Sequence, residues 1–196
     1  ENETGPAFKE SEIQACKNLS FAVCQDDIRA SHLSRENQIS PAKIMNIPLG
    51  GRFTDRPRKE YYLYESLGIR RSKNIALFMG SIDRWTMADH IIESSQNWPD
   101  NWVLVVHNRY GLDRVTRLYY EKYKNLSNVM FSNQPIADLN QLNHLIRSAD
   151  IGLALYKPQK NNIWAGNNIK HIGMASGKIA SFLQNGVPVI VNEIGR

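Results

Sequence analysis

The run Ser176-Gly177-Lys178 opens a segment whose apolar residues Ile179, Phe182 and Leu183 stand at helical spacing. A helix that begins there leaves its first backbone N–H groups without intrahelical partners, under the positive end of its dipole. Ser176 and Gly177 are small enough to cap that end and let an anion approach it. Lys178 adds a full positive charge at the same mouth, so the spacing describes a phosphate site. A second cation, Arg84, follows Gly80 by four residues. Its guanidinium can fork onto phosphate oxygens while the glycine lets a backbone N–H come close to a ligand. An ordinary helix with a solvated lysine, and an ordinary surface arginine, fit the same residues.

Weaker candidates accompany these. Tyr156 ends an apolar run, where a phenol ring can stack on a base or cover a sugar. The histidines His32, His90, His107, His144 and His171 are scattered, with no spacing that gathers metal ligands, so no metal site is expected. His107 and His171 are the two expected on loops facing a crevice. Neither a G-x-x-x-x-G-K-[ST] loop nor a G-x-G-x-x-G fingerprint occurs, which removes the usual cradles of nucleotide hydrolases and dinucleotide dehydrogenases. No G-x-S-x-G elbow marks a hydrolase.

The elements that must position these residues form a regular series after Asn74. Apolar runs at 75–79, 102–106, 129–131, 150–155 and 187–191 read as strands, the first a continuous run of the kind buried on both faces of a parallel sheet. Between them, helical spacing appears from a Thr86 cap through Ile92, from Leu112 to Tyr123, through Leu139, Leu142, Leu145 and Ile146, and in the segment after Ser176. Gly186 closes that last helix and Pro188 stands at the start of the final strand. Strands alternating with helices predict an α/β fold, a Rossmann-like doubly wound parallel sheet. Its ligand crevice lies outside the C-terminal strand ends, where Gly80, Asn133, Tyr156 and Ser176 all fall. The connection from Tyr156 to Ala175, rich in Asn161, Asn162, Asn167 and Asn168, exceeds the usual length of an α/β loop.

Upstream, a polar helix over 8–19, a strand at 19–24, a helix from Ile28 to Asn37 capped by Asp26 or Asp27, and an apolar segment at 43–48 read as the end of another α/β layer. The expected division is therefore 1–51 as the close of one domain, 52–73 as a linker, and 74–196 as the Rossmann-like domain. The linker carries a helical patch at Tyr61–Leu67 and the basic residues Arg52, Arg56, Arg58, Lys59, Arg70, Arg71 and Lys73. The chain is expected to begin within a longer protein and, since it stops at Gly195-Arg196, to lack the last elements of its second domain.

A formal charge of +5 suits a nucleoside diphosphate, an anionic membrane surface or nucleic acid equally well. The basic stretch lies between core segments and reads as a solvated linker whose tyrosines Tyr61, Tyr62 and Tyr64 pack against a domain face, so no nucleic-acid partner is expected, while contact with a membrane surface stays open. Cys16 and Cys24 have neither disulfide nor zinc spacing and fit a reducing cytoplasm. No apolar run reaches the ~18 residues that would mark a membrane-spanning helix.

The residues Ser176-Gly177-Lys178, Phe182-Leu183, Gly186 and Pro188-Val189-Ile190 resemble the pattern S-K-x-x-E-Y-L-A-x-G-x-P-V-I of GT-B glycosyltransferases like the retaining family 4 enzymes. Ile47-Pro48-Leu49-Gly50-Gly51 resembles the junction that leads into their second domain. The resemblance implies transfer of a sugar from a nucleotide sugar, a UDP- or GDP-sugar above all, to an acceptor sugar or lipid-linked glycan. It implies no cofactor beyond that substrate, no metal, a role in cell-surface polysaccharide or glycan synthesis, and a cytoplasmic site at or near the inner membrane face. Gly80, Arg84, Ser176, Gly177 and Lys178 would hold the diphosphate, and Asn133, Tyr156 and Ser181 the base and ribose. Ser181 departs from the pattern, which places there a glutamate that holds the ribose. No catalytic residue is designated, because the groups that orient the acceptor belong to the first domain. Two other readings fit the same fold: a sugar-nucleotide epimerase, which needs more carboxylates than these loops carry, and a non-catalytic nucleotide- or protein-binding module.

Overall fold

A computed structural model of the chain describes residues 4–50, 57–108, 111, 113–136, 138–160 and 166–193. Gly51, Arg52, Arg56, Leu112, Asn161, Asn162, Gly195 and Arg196, which enter the reading above, lie outside these residues. The chain divides into two compact units, Glu1–Leu49 with His171–Ser176, and Gly50–Lys170 with Gly177–Arg196.

The first unit holds helix α1 (Thr4–Cys16), strand β1 (Ala22–Cys24), helix α2 (Asp27–Asn37) and strand β2 (Ile44–Asn46). Asp26 caps α2 by accepting the Arg29 N–H at 2.8 Å, as its position predicts. β1 and β2 pair in parallel, Ala22 opposite Ile44. Asn37, buried at the end of α2, donates to Glu12 Oε1 of α1 at 2.8 Å. His171 belongs to this unit too, where its ring lies 5.5 Å from that of His32 and its carbonyl accepts from Arg29 Nε. His171, expected on a loop, packs with α2 of this unit.

The second unit is built on a parallel sheet of five strands, β3 (Asn74–Met79), β4 (Trp102–His107), β5 (Val129–Ser132), β6 (Ile151–Ala154) and β7 (Val189–Val191), in the order β5-β4-β3-β6-β7. The first strand of the series stands at the centre, and the chain winds outward first to one side and then to the other. This is the doubly wound arrangement, with its crevice where β3 and β6 diverge. β3 explains the layering. Its odd residues Ile75, Leu77 and Met79 pack with Val103, Val105, Leu145, Ile146 and Phe182 on one face, and Ala76 and Phe78 with Leu104, Val106, Ile91 and Ile92 on the other. Period-two alternation thus sends an unbroken apolar run into two cores, each buried Ile, Leu or Phe contributing about 1.5–3 kcal/mol.

The segment expected as a linker is part of this unit where it is described. Helix α3 (Tyr62–Leu67) buries Leu63 and Tyr64 against the sheet's core. Asp150, just before β6, ties it down: one carboxylate oxygen accepts from Lys59 Nζ at 2.6 Å and the other from the Ile75 N–H at 2.7 Å and the Tyr64 hydroxyl at 3.3 Å. The helix expected from a Thr86 cap also differs. Thr86 is buried in a 3-10 turn (Arg84–Thr86), where it forms a capping box with Asp83, and helix α4 (Ala88–Ser94) starts from Met87 in the left-handed region at φ 56°. The remaining helices are α5 (Arg114–Tyr123), α6 (Leu139–Arg147), the short α7 (Asn167–Lys170) and α8 (Gly177–Gln184). α5 and α6 are capped by Asp113 and Asp138, whose carboxylates accept backbone N–H groups at 2.7 and 2.8 Å. Gly152 in β6 lets α8 lie close on the sheet: a Cβ there would meet the Phe182 ring at 2.5 Å.

Candidate functional site

Lys178 is the second residue of α8, so its ammonium starts at the helix's positive end. The side chain runs over the C-terminal edge of the sheet. Its Nζ lies 4.8 Å from the centroid of the Phe78 ring and 5.3 Å from that of Tyr156, and its Cε would sit 3.5 Å from a Cβ placed on Gly80. Phe78 and Gly80 bracket the end of β3, and Tyr156 follows β6. The amine therefore occupies the point where the strand order reverses. It is buried, and among the described residues it has no hydrogen-bond or ionic partner. Burial alone pushes its pKa down from 10.5 to about 8. Two aromatic faces compensate part of that cost through cation–π attraction, but a ring is a poor substitute for an anion.

Gly80 has φ 104°, which only glycine adopts readily, and this turn lets the chain leave β3 beneath the lysine. Its N–H does not point at a ligand as the sequence reading had it. It donates to the His107 carbonyl at 3.0 Å, extending the β3–β4 ladder by one bond. What Gly80 contributes is space.

His107 ends β4 and is buried, with Nδ1 3.0 Å from Ser132 Oγ at the end of β5. Burial drives its pKa down to about 4, against a smaller opposing pull from Ser132, so the ring is neutral at physiological pH. The ring lines a cleft of about 380 Å³ together with Gly80, Gly177, Lys178 and Ser181. Met79, Ile136, Asp138, Leu139 and Leu142 complete its lining. The cleft thus combines a buried cation at the start of α8 with apolar side chains and a few polar groups.

Of the residues expected from sequence, this cleft brings together Gly80, Gly177, Lys178 and Ser181. Ser176 is buried and groups with the first unit. Arg84 sits on the capped turn after β3, exposed and outside the lining of the cleft. Asn133 follows β5 with a buried Oδ1 that no described group meets, also outside the lining. Tyr156 is buried: the Trp85 ring stacks on it at 6.1 Å and 11°, and its backbone exchanges two hydrogen bonds with the Asn192 amide, at 2.9 and 2.8 Å. It floors the lysine and has no face left to stack on a base. The residues that sequence reading missed are Phe78, Asp138 and the apolar lining. Asp138 immediately before the Leu139 periodicity carried a cap signal, and that signal marks its place at the cleft. Among the described residues no group of three or more His, Cys, Asp or Glu could hold a metal ion, and no helix is long and apolar enough to cross a membrane.

No protein-family model matches the chain, and no curated protein matches its sequence. Its structure is similar to several solved ones. The structure of Anabaena Alr3699/HepE in complex with UDP and glucose has a TM-score of 0.67 at 12% identity, over 97% of this chain and 49% of that one. A glycosyltransferase from Rickettsia africae gives 0.63 at 16% identity, over 96% and 48%. Sucrose-phosphate synthase from Thermosynechococcus elongatus gives 0.64 at 15% identity, over 100% and 46%. The chain spans about half the length of each. At these identities the likeness is one of fold, and the fold is the Rossmann-like α/β architecture of GT-B glycosyltransferases.

Proposed function

We propose that the chain is the donor-binding half of a glycosyltransferase that moves a sugar from a nucleoside diphosphate to an acceptor alcohol. The observation that carries this reading is the Lys178 amine, buried with no hydrogen-bond or ionic partner among the described residues at the reversal point of a doubly wound sheet. A buried cation without a counter-ion is costly, and a diphosphate supplies the missing charge. The solved HepE structures, similar in fold, contain UDP and UDP-glucose. During transfer the anomeric carbon leaves the diphosphate oxygen for the acceptor oxygen, the diphosphate gains negative charge as it departs, and it takes up the proton that the acceptor hydroxyl gives up. Lys178 and the first N–H groups of α8 meet that charge where it develops. Arg84 reaches the same anion from the turn after β3 once a donor is present. The reaction is of the retaining, metal-independent kind that the sequence resemblance implies, with the nucleotide sugar as substrate and no further cofactor. The acceptor is a sugar or lipid-linked glycan, the product a cell-surface polysaccharide or glycan made at the inner face of the membrane.

The test is calorimetric titration of the chain with UDP, GDP and ADP at low and moderate salt. Saturable binding of one of them, weakened at least tenfold in Lys178→Ala while the fold is retained, is the expected result. A folded chain that binds none of them refutes the reading and favours an interaction module of the same fold.

A further inference from the structure

Lys178 has a second chemistry that donor binding does not use. Its Nζ lies 4.8 Å from the centroid of the Phe78 ring and 5.3 Å from that of Tyr156, buried, with no hydrogen-bond or ionic partner among the described residues. Ring faces hold an ammonium weakly, and they hold a neutral nitrogen without the cost of burying a charge. With the pKa down at about 8, about a tenth of the amine is free base at pH 7, against less than a thousandth for an ordinary lysine. The free base is the nucleophilic form. Lys122 shows the opposite arrangement. The Tyr123 hydroxyl and the Asp89 carboxylate, the latter 2.9 Å away, push its pKa up and keep it protonated.

The surroundings select the electrophile. Lys178 is the second residue of α8, whose first N–H groups lack intrahelical partners and draw an incoming phosphate to the same spot. Gly80 keeps the space beside the stem open: a Cβ there would touch Cε at 3.5 Å and Nζ at 3.9 Å. The amine has no hydrogen bond to break, so its flexible stem turns toward the cleft at the expense of ring contacts alone.

Resting on the donor-binding reading, we infer that Lys178 is also a modification site, where a small acyl phosphate transfers its acyl group to the amine and closes the site to nucleotides. The nitrogen lone pair attacks the acyl carbon, and a C–N bond forms as the C–O bond to the phosphate breaks. The phosphate leaves with that electron pair and takes the proton that the nitrogen sheds. The product is a neutral amide. It ends the burial of an unpaired charge, so the acylated state gains from the same imbalance that a diphosphate relieves.

Acetyl phosphate is the probe, added to the parent chain at neutral pH, with acetylation of each lysine followed by peptide mass spectrometry. Acetic anhydride, which carries no phosphate, is the reference reagent. The surplus of free base, offset in part by the lower reactivity of a weaker base, should put Lys178 about tenfold ahead of the exposed Lys160 and Lys170 toward the anhydride. Acetyl phosphate should widen that lead by a further factor of about ten, because the helix end holds it in place. Saturating UDP should protect Lys178 alone, and the acetylated chain should bind UDP at least tenfold more weakly. Acetylation of Lys178 no faster than that of Lys160 and Lys170 overturns the assignment, and so does a lead that is the same for both reagents. Selective acetylation by acetyl phosphate in a chain that does not bind UDP overturns the donor reading and leaves the modification site standing, a distinct result.

Discussion

Replacing Lys178 by methionine keeps most of the side chain's volume and removes its charge. In the ligand-free protein the variant should be more stable, an unusual direction for a core-edge substitution. The fall of the lysine's pKa from 10.5 to about 8 corresponds to about 3 kcal/mol at about 1.4 kcal/mol per factor of ten in proton affinity. The sign follows from proton linkage. Between pH 8 and 10.5 the unfolded chain binds more protons than the folded one, so parent stability rises with pH across that window. Below pH 8 both states carry the proton and the folded state bears the full cost. The gap between Lys178→Met and parent should therefore be widest at pH 8 and below, and close by about pH 10.5. Urea unfolding followed by tryptophan emission reads it, since Trp85, Trp98 and Trp102 all belong to the second unit. Ligand binding should move the other way. UDP restores a counter-ion to the lysine, so its affinity should fall as pH rises above 8 in the parent and be weak at every pH in Lys178→Met. A variant less stable than the parent at pH 7 would refute the reasoning, because it would mean that the amine has a stabilising partner in the folded state.

Two further outcomes test the surroundings. Gly152→Ala drives a methyl into the fully buried Phe182 ring and should cost about 1–3 kcal/mol in urea unfolding, part of it recovered when Phe182→Leu is added. For His107, whose pKa is depressed to about 4, the unfolded state protonates first as pH falls. Parent stability should drop by about 2–3 kcal/mol relative to His107→Phe between pH 6.5 and 4. No such drop would mean that the ring titrates in the folded state as a solvated histidine does.

The fold was largely legible in the sequence, because parallel strands buried on both faces are written as unbroken apolar runs. Asn74–Met79 and Trp102–His107 were readable to within a residue for that reason. The strand at the edge was less so: Val187 is buried ahead of β7, but the ladder begins only at Val189, after Pro188, which has no N–H to give. The turn after β3 misled because Thr86 is a good cap by type, yet its hydroxyl is spent closing a box with Asp83. At the site, Lys178 and Gly177 could be identified from a helix start, which is a local property. Asp138, 40 positions earlier in the numbering, joins them only through the order in which the strands are laid down, and no local spacing encodes that. Gly80 shows the converse: the residue type was right and its role was not, since the hydrogen bond that its N–H makes belongs to the neighbouring strand.

The most direct test of the central claim is to map UDP onto the ¹⁵N-labelled chain by amide chemical shifts. The account predicts saturable shifts centred on Gly80 and on Gly177 to Ser181, absent in Lys178→Ala. Shifts confined to the opposite edge of the sheet, around Arg70, Trp98 and Asn128, or no shifts at all from a folded chain, would contradict it.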